Sequence, residues 1–339
     1  MSDHIEGFDY LRAVMSVFVV AWHMKTAGST VTYPKDTYFQ HTLTASDFVN
    51  FHILLLAVPT FIFVSTYLYV LKGASASSLW RRLKRLSILL TFWPVAWILY
   101  KRGYSGLLAN IPHSTSSFLS TVIQAGGTIY YFFVSLIVCL LITHVVATRT
   151  VHVQIAGLMA STAMLSCLPQ ISIASGLHAL SEYWNPLNFI PFSFAAVLAA
   201  QHRAYIHARK TTLVGILVLL SVVFAKLEWN YSAGEIFFPG DGYAIPPYTR
   251  SSVVFAVLAL AIIALEATVK ANVIIKFMAK YALALYCLHL FVMEPIRGLI
   301  SRVSQNNLAL SFGFLVLVIL LSYALALVMR VYVKEEVIM

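Results

Sequence analysis

Apolar stretches long enough to cross a lipid bilayer follow one another along almost the whole chain. Only short polar segments separate them, and this excludes most architectures. About 18 or more consecutive apolar residues read as a transmembrane helix, because lipid offers no partner for backbone N–H and C=O groups and a helix satisfies them internally. The runs between charges give ten expected spans, at 8–26, 47–71, 84–101, 129–147, 151–168, 187–202, 211–228, 251–268, 274–294 and 308–332. Of 339 residues, 60% are hydrophobic and 11% charged, against about 25% charged in a soluble domain. A mean hydropathy of +0.82 excludes a soluble enzyme, a disordered chain and a collagen-like fibre. The expected fold is an all-α polytopic membrane protein of about ten helices. No segment leaves room for a separate soluble domain, so residues 1–339 are expected to form a single integral-membrane domain.

The net charge of +10 would point to nucleic acid in a soluble protein. In a membrane protein it reflects cations held on the cytoplasmic side, and no nucleic-acid partner is expected. With both termini cytoplasmic, the inner segments hold 15 of the 23 Lys and Arg residues, including Arg12, Lys72, Arg81, Arg82, Lys84, Arg85 and Lys280. The segment 103–128 carries no charge and is read as a loop with an interfacial piece, since an eleventh span would throw the later basic loops outward. Pro94 is expected to kink the third span and Pro191 to break or tilt the short sixth. Cys139, Cys167 and Cys287 lie scattered in apolar runs, a pattern that gives neither a disulfide framework nor a metal site. The start, MSDHIEGFDYLR, lacks a basic n-region, so the first helix is expected to stay in the mature protein.

Arg12 and His23 are 11 residues apart, very nearly three whole turns of a helix with about 3.6 residues per turn. Both side chains therefore share one face, about 16 Å apart along the axis. An ionisable residue inside a span is costly and marks a candidate functional site. The spacing by itself also fits a snorkelling Arg12 and a His23 at the outer water. Arg82 and Arg85 are i,i+3 neighbours able to grip phosphate bidentately, although a basic cluster after a hairpin also suits a plain membrane anchor. His52, Ser65, Tyr67, Tyr130, Tyr131, His144, Tyr286 and His289 are further polar side chains in apolar runs. Glu182, just before the sixth span, is a candidate to orient an imidazole. The Gly-, Pro- and aromatic-rich segment about 229–250 suits a lid or a carbohydrate-stacking surface, or a plain connector.

In sequence order these pieces resemble the membrane acyltransferase-3 family. Its first helix carries Arg, ten residues and His in a D-x-L-R-G/A context, and Asp9-Tyr10-Leu11-Arg12-Ala13 to His23 fits at that spacing. The V-P-x-F-F-x-x-S-G-[FY]-L stretch of its second helix is similar to Val58 to Leu68, with Thr66 in place of the glycine. Arg82, Arg85 and Pro94 match an R-x-x-R pair before a Pro-containing helix. Tyr130-Tyr131-Phe132-Phe133 and Tyr281 to His289 resemble two later motifs.

The resemblance implies an O-acyltransferase of the bacterial inner membrane. The donor would be a cytoplasmic acyl-CoA, usually acetyl-CoA, with its phosphates held by Arg12, Arg82 and Arg85. The acceptor would be a hydroxyl of an envelope glycan, such as lipopolysaccharide, or of a lipid-linked sugar on the outer side. His23 would be the general base, assisted by Glu182. Ser65, Tyr67, Tyr130, Tyr131, Tyr286 and His289 would line the path between them, which is expected to be narrow and plugged near Ser65 and Tyr67. Neither a bound cofactor nor a metal is expected, and membrane lipids are the surrounding partners. Two rival classes use the same residues differently: a transporter or flippase of a polar lipid or solute, and a scaffold or sensor subunit of an envelope-assembly complex.

Overall fold

A computed structural model describes residues 4–26, 45–109, 114–232, 247–304 and 308–332. Regular structure among them is helical throughout: α1 (Glu6–Met24), α2 (Ala45–Phe48), α3 (Ala57–Leu71), α4 (Ala76–Ala109), α5 (Thr115–Ile123), α6 (Tyr131–Val146), α7 (Val151–Ser175), α8 (Ile190–Gln201), α9 (Arg203–Ser232), α10 (Ser251–Leu265), α11 (Val273–Lys280), α12 (Ala282–Ser304) and α13 (Leu308–Tyr332). Between α2 and α3 the chain passes through a π-helical turn, Val49–Ile53, and a 3-10 turn, Leu54–Leu56.

Among the described residues, six helical stretches have the length and composition to cross a membrane: Ala45–Leu71, Ala76–Ala109, Val151–Ser172, Arg203–Glu228, Ala282–Leu299 and Ala309–Tyr332. Tyr131–Val146, Pro186–Gln201 and Ser251–Leu265 are apolar but shorter. The chain is a helical membrane protein. Helix α1 is 19 residues long and carries Glu6, Asp9, Arg12 and His23. It packs against α3, α10, α11, α12 and α13, which places its ionisable residues inside the bundle. Gly7 permits part of this, since a Cβ there would stand 1.9 Å from the carbonyl oxygen of Ala264 at the end of α10. Glu6 ties α1 to the loop before α11, accepting from the Ala271 backbone N–H at 2.7 Å and pairing with Lys276 at 3.4 Å.

Local details differ from the expectations at several points. Helical dihedrals run through Pro94 within α4, and non-helical backbone occurs at Gly103 (φ 64°, ψ −165°). Helix α4 therefore runs on into the expected loop, to Ala109. Helix α5 then starts in a capping box, with Ser114 Oγ accepting from Ser117 N–H and Ser117 Oγ from Ser114 N–H. The short sixth span is divided just before Pro191, into a 3-10 turn, Pro186–Phe189, and α8, where Pro191 sits in the first turn and its missing N–H costs nothing. The expected span 274–294 is two helices, divided at Tyr281. Ile111, Pro112, His113 and most of the proposed lid, 233–246, lie outside the described residues. At the end of α10, Glu266 is met by His207 and by Lys210 at 3.3 Å.

Candidate active site

Helix α3 builds one wall by simple periodicity. Phe61, Val64, Ser65 and Leu68 follow the i, i+3, i+4, i+7 rule of a single face, and all four line a cavity of about 270 Å³. Arg12 from α1, Arg82 and Arg85 from α4, and Lys280 from α11 bring cations to the same cavity. Asp9, 3% exposed, accepts from Arg12 Nη2 at 2.5 Å and meets His4 Nε2 at 2.7 Å. A buried carboxylate that pairs with a guanidinium also fixes its orientation, so the D-x-x-R spacing holds Arg12 in place.

A second cavity of about 360 Å³ lies further along α1 and is lined by Val19, Trp22 and His23. Its other walls combine tyrosines (Tyr131, Tyr183, Tyr248 and Tyr286) with aliphatic side chains such as Leu54, Val58 and Ile129. His289 is fully buried, with its ring centroid 5.2 Å from that of His23. Its Nδ1 lies 3.1 Å from the Leu285 carbonyl oxygen and so donates to it. In the neutral tautomer this leaves Nε2 as an acceptor, and that atom has no hydrogen-bond partner among the described residues.

Tyr286 lines both cavities. Its hydroxyl donates to the Ile129 carbonyl oxygen, and its ring packs against Phe132, Phe133 and Tyr130 at centroid distances of 5.2, 6.1 and 6.3 Å. Tyr286 and its aromatic neighbours stand where the two cavity walls meet.

The profile of a family described as an acyltransferase domain, acyltransferase 3, matches residues 5–327. The chain belongs to the acyltransferase-3 family. No curated protein and no solved structure gave a significant match. Membership establishes a membrane acyltransferase with a general acyl-transfer role.

In this acyltransferase, Arg12, Arg82, Arg85 and Ser65 meet in one chamber and His23, Tyr131 and Tyr286 in the other. Three expected lining residues stand outside both walls. Tyr67 is two positions from Ser65, more than half a turn around the helix, and is buried against Phe8 and Phe63 at 5.2 and 6.0 Å. Tyr130 is buried, with its hydroxyl donating to the Cys287 carbonyl oxygen at 2.8 Å. His289 sits behind the wall, against His23. Glu182 lines neither cavity. Its carbonyl oxygen accepts from Asn188 Nδ2 at 2.9 Å, and its neighbour Tyr183 supplies the cavity wall.

Sequence reasoning passed over Trp22, Tyr183, Tyr248 and Lys280 as site residues. It also passed over a buried charge cluster beside the His23 chamber. Arg250, with no exposed side-chain surface, pairs with Glu228 Oε2 at 3.0 Å. Its Nη1 donates to the Phe51 carbonyl oxygen at 2.6 Å, and its Nη2 lies 2.8 Å from His52 Nδ1 and 3.2 Å from Ser252 Oγ. Glu228 also accepts from the Ser252 N–H at 2.9 Å. The Phe51 ring packs against Trp22 at 5.7 Å. Arg250 therefore pins together the π-helical turn, the end of α9 and the Pro247–Tyr248 segment, and two of these carry or support cavity walls.

Proposed function

We propose that the protein transfers an acyl group, acetyl by preference, from cytoplasmic acyl-CoA to a hydroxyl of an envelope glycan or lipid-linked sugar at the outer side of a bacterial inner membrane. The observation that carries this reading is the pairing along α1 of a cationic chamber at Arg12 with an imidazole chamber at His23, meeting at Tyr286. Ten spans with both termini cytoplasmic complete the arrangement, in accord with the cation distribution.

The donor's phosphates suit Arg12, Arg82 and Arg85, whose guanidiniums can form charge-assisted, bidentate bonds, with the Lys280 ammonium beside them. Arg12 and His23 stand about 16 Å apart along the helix, and an extended pantetheine arm is long enough to cover a gap of that order. The acceptor rests against the tyrosines of the outer chamber. Neutral His23 takes the hydroxyl proton as the oxygen attacks the thioester carbonyl. The new C–O bond forms, the C–S bond breaks, and the proton passes from the imidazolium to the departing thiolate. No permanently bound cofactor and no metal takes part. Burial of Tyr286 between the chambers favours delivery of one thioester over passage of a whole solute, the act a transporter would perform.

Purified protein given acetyl-CoA should release free thiol, slowly alone and faster with acceptor glycan. Absence of any thiol release would return the reading to a transporter. Mass spectrometry of envelope glycans from cells with and without the protein then identifies the modified sugar.

The donor site makes a separate prediction. Arg82→Ala, Arg85→Ala and Arg12→Lys should each weaken coenzyme A binding by about tenfold or more, since a hydrogen bond to a charged group is worth about 1.5–3 kcal/mol. Binding should also weaken as salt is raised. Calorimetry showing wild-type affinity in all three variants would place the donor elsewhere.

A further inference from the structure

Arg82 is held by a structure that extends beyond the cavity it lines. Helix α3 ends in a Schellman turn: Ala74 N–H donates to the Tyr69 carbonyl oxygen at 3.2 Å and Gly73 N–H to that of Val70 at 2.8 Å. Gly73 takes the left-handed conformation this turn requires (φ 87°). The turn leads the chain into α4, whose Arg82 reaches back so that its guanidinium carbon stands 5.5 Å from the centre of the Tyr69 ring. Arg82 Nη1 also approaches the Ser65 carbonyl oxygen at 3.4 Å.

The Tyr69 ring is in turn immobilised. Tyr69 is fully buried, and its hydroxyl oxygen lies 2.8 Å from Nδ1 of His144 on α6. The same Nδ1 lies 3.0 Å from the Ala74 carbonyl oxygen. A carbonyl oxygen only accepts, so Nδ1 carries the proton and shares it between Ala74 and Tyr69. The Tyr69 hydroxyl then donates to the Ser75 carbonyl oxygen at 3.3 Å. One imidazole thus fastens the turn, the phenol and α6 together, directly beneath the guanidinium.

We propose that Tyr69 and His144 are positioning residues for the acyl donor. Tyr69 presents a fixed aromatic face on which Arg82 rests, and His144 locks that face, so that the free edge of the guanidinium is aimed into the cationic chamber for a phosphate. This rests on the reading of that chamber as the coenzyme A site. A cation over an aromatic face is worth about 0.5–2 kcal/mol. Side-chain freedom that Arg82 has already lost is freedom it does not lose on binding.

The test is a double-mutant cycle on coenzyme A affinity, measured by calorimetry on the purified full-length protein. Tyr69→Leu should weaken coenzyme A binding between about two- and thirty-fold, Tyr69→Phe less, and the apparent KM for acceptor should stay unchanged. In an Arg82→Ala background, Tyr69→Leu should add nothing, because the ring acts only through Arg82. If Tyr69→Leu does not fold, His144→Gln is read in the same cycle, and its loss of affinity should likewise vanish without Arg82. An equal loss in both backgrounds, or none in the presence of Arg82, overturns the positioning role. If Arg82→Ala, Arg85→Ala and Arg12→Lys all bind coenzyme A like the wild type, the donor-site reading fails instead. The two failures are therefore distinguishable.

Discussion

Replacing His23 by alanine should leave a protein that folds and binds coenzyme A yet transfers acyl groups about 100- to 10,000-fold more slowly, the range a positioned general base contributes. Binding should survive because the cations line the other chamber, about 16 Å away along α1. The acceptor hydroxyl is a poor nucleophile until its proton has somewhere to go. Among the described residues lining the His23 chamber, His23 is the only one whose unperturbed pKa lies near neutrality. His289 is the informative companion. Its Nδ1–H is committed to its own helix and its Nε2 is free to accept, so His289→Asn should slow transfer less than His23→Ala. Transfer at the wild-type rate by His23→Ala would remove His23 from catalysis and leave His289 as the next histidine to test.

The second large effect should be on stability. Arg250→Ala or Glu228→Ala leaves one member of a buried ion pair without its partner, a change that typically costs about 3–5 kcal/mol. The pair lies in a bundle of helices where water is a poor substitute. Without Arg250, the Phe51 carbonyl oxygen and the Glu228 carboxylate each lose a donor held at 3.0 Å or less. The double variant Arg250→Met/Glu228→Leu should be less destabilised than the sum of the two single changes, because it removes both charges together. Unfolding in detergent, followed by circular dichroism, measures both. Single variants that unfold with the wild type would show that the cluster contributes nothing to stability. The Pro247–Tyr248 segment should loosen in the same variants, so acceptor binding should suffer before donor binding does.

What could be read from the sequence was what lies on one helix. Arg12 and His23 share a face by arithmetic, as do Arg82 and Arg85; the structure places the three arginines at one cavity and His23 at the other. The same arithmetic excludes Tyr67 once Ser65 is known to face the chamber, since two residues carry the chain more than half-way round the helix. The shared chamber wall at Tyr286 could not be read, because it depends on how α6 and α12 meet. Nor could the burial of Arg250. An arginine after a Pro- and aromatic-rich loop looks like a solvated outer charge, and the carbonyl that receives it lies 199 residues earlier in the chain. The π-helical turn at Val49–Ile53 that offers this carbonyl has no clear sequence signature.

The aromatic cluster around Tyr286, where the two chambers meet, has an electrical consequence. If water fills both chambers, the insulating path across the protein shrinks to the thickness of that cluster, and most of the membrane voltage falls there. A charge crossing the full drop exchanges about 2.3 kcal/mol with the field per 100 mV. In the proposed reaction, a thiolate that withdrew to the cytoplasm still charged would carry a negative charge inward, against an inside-negative potential. A sulfur that first takes the proton from His23 withdraws neutral and feels no such force. The thin partition therefore makes the voltage a brake on one proton route and leaves the other untouched. Turnover in energised vesicles should then proceed at the same rate as in de-energised ones.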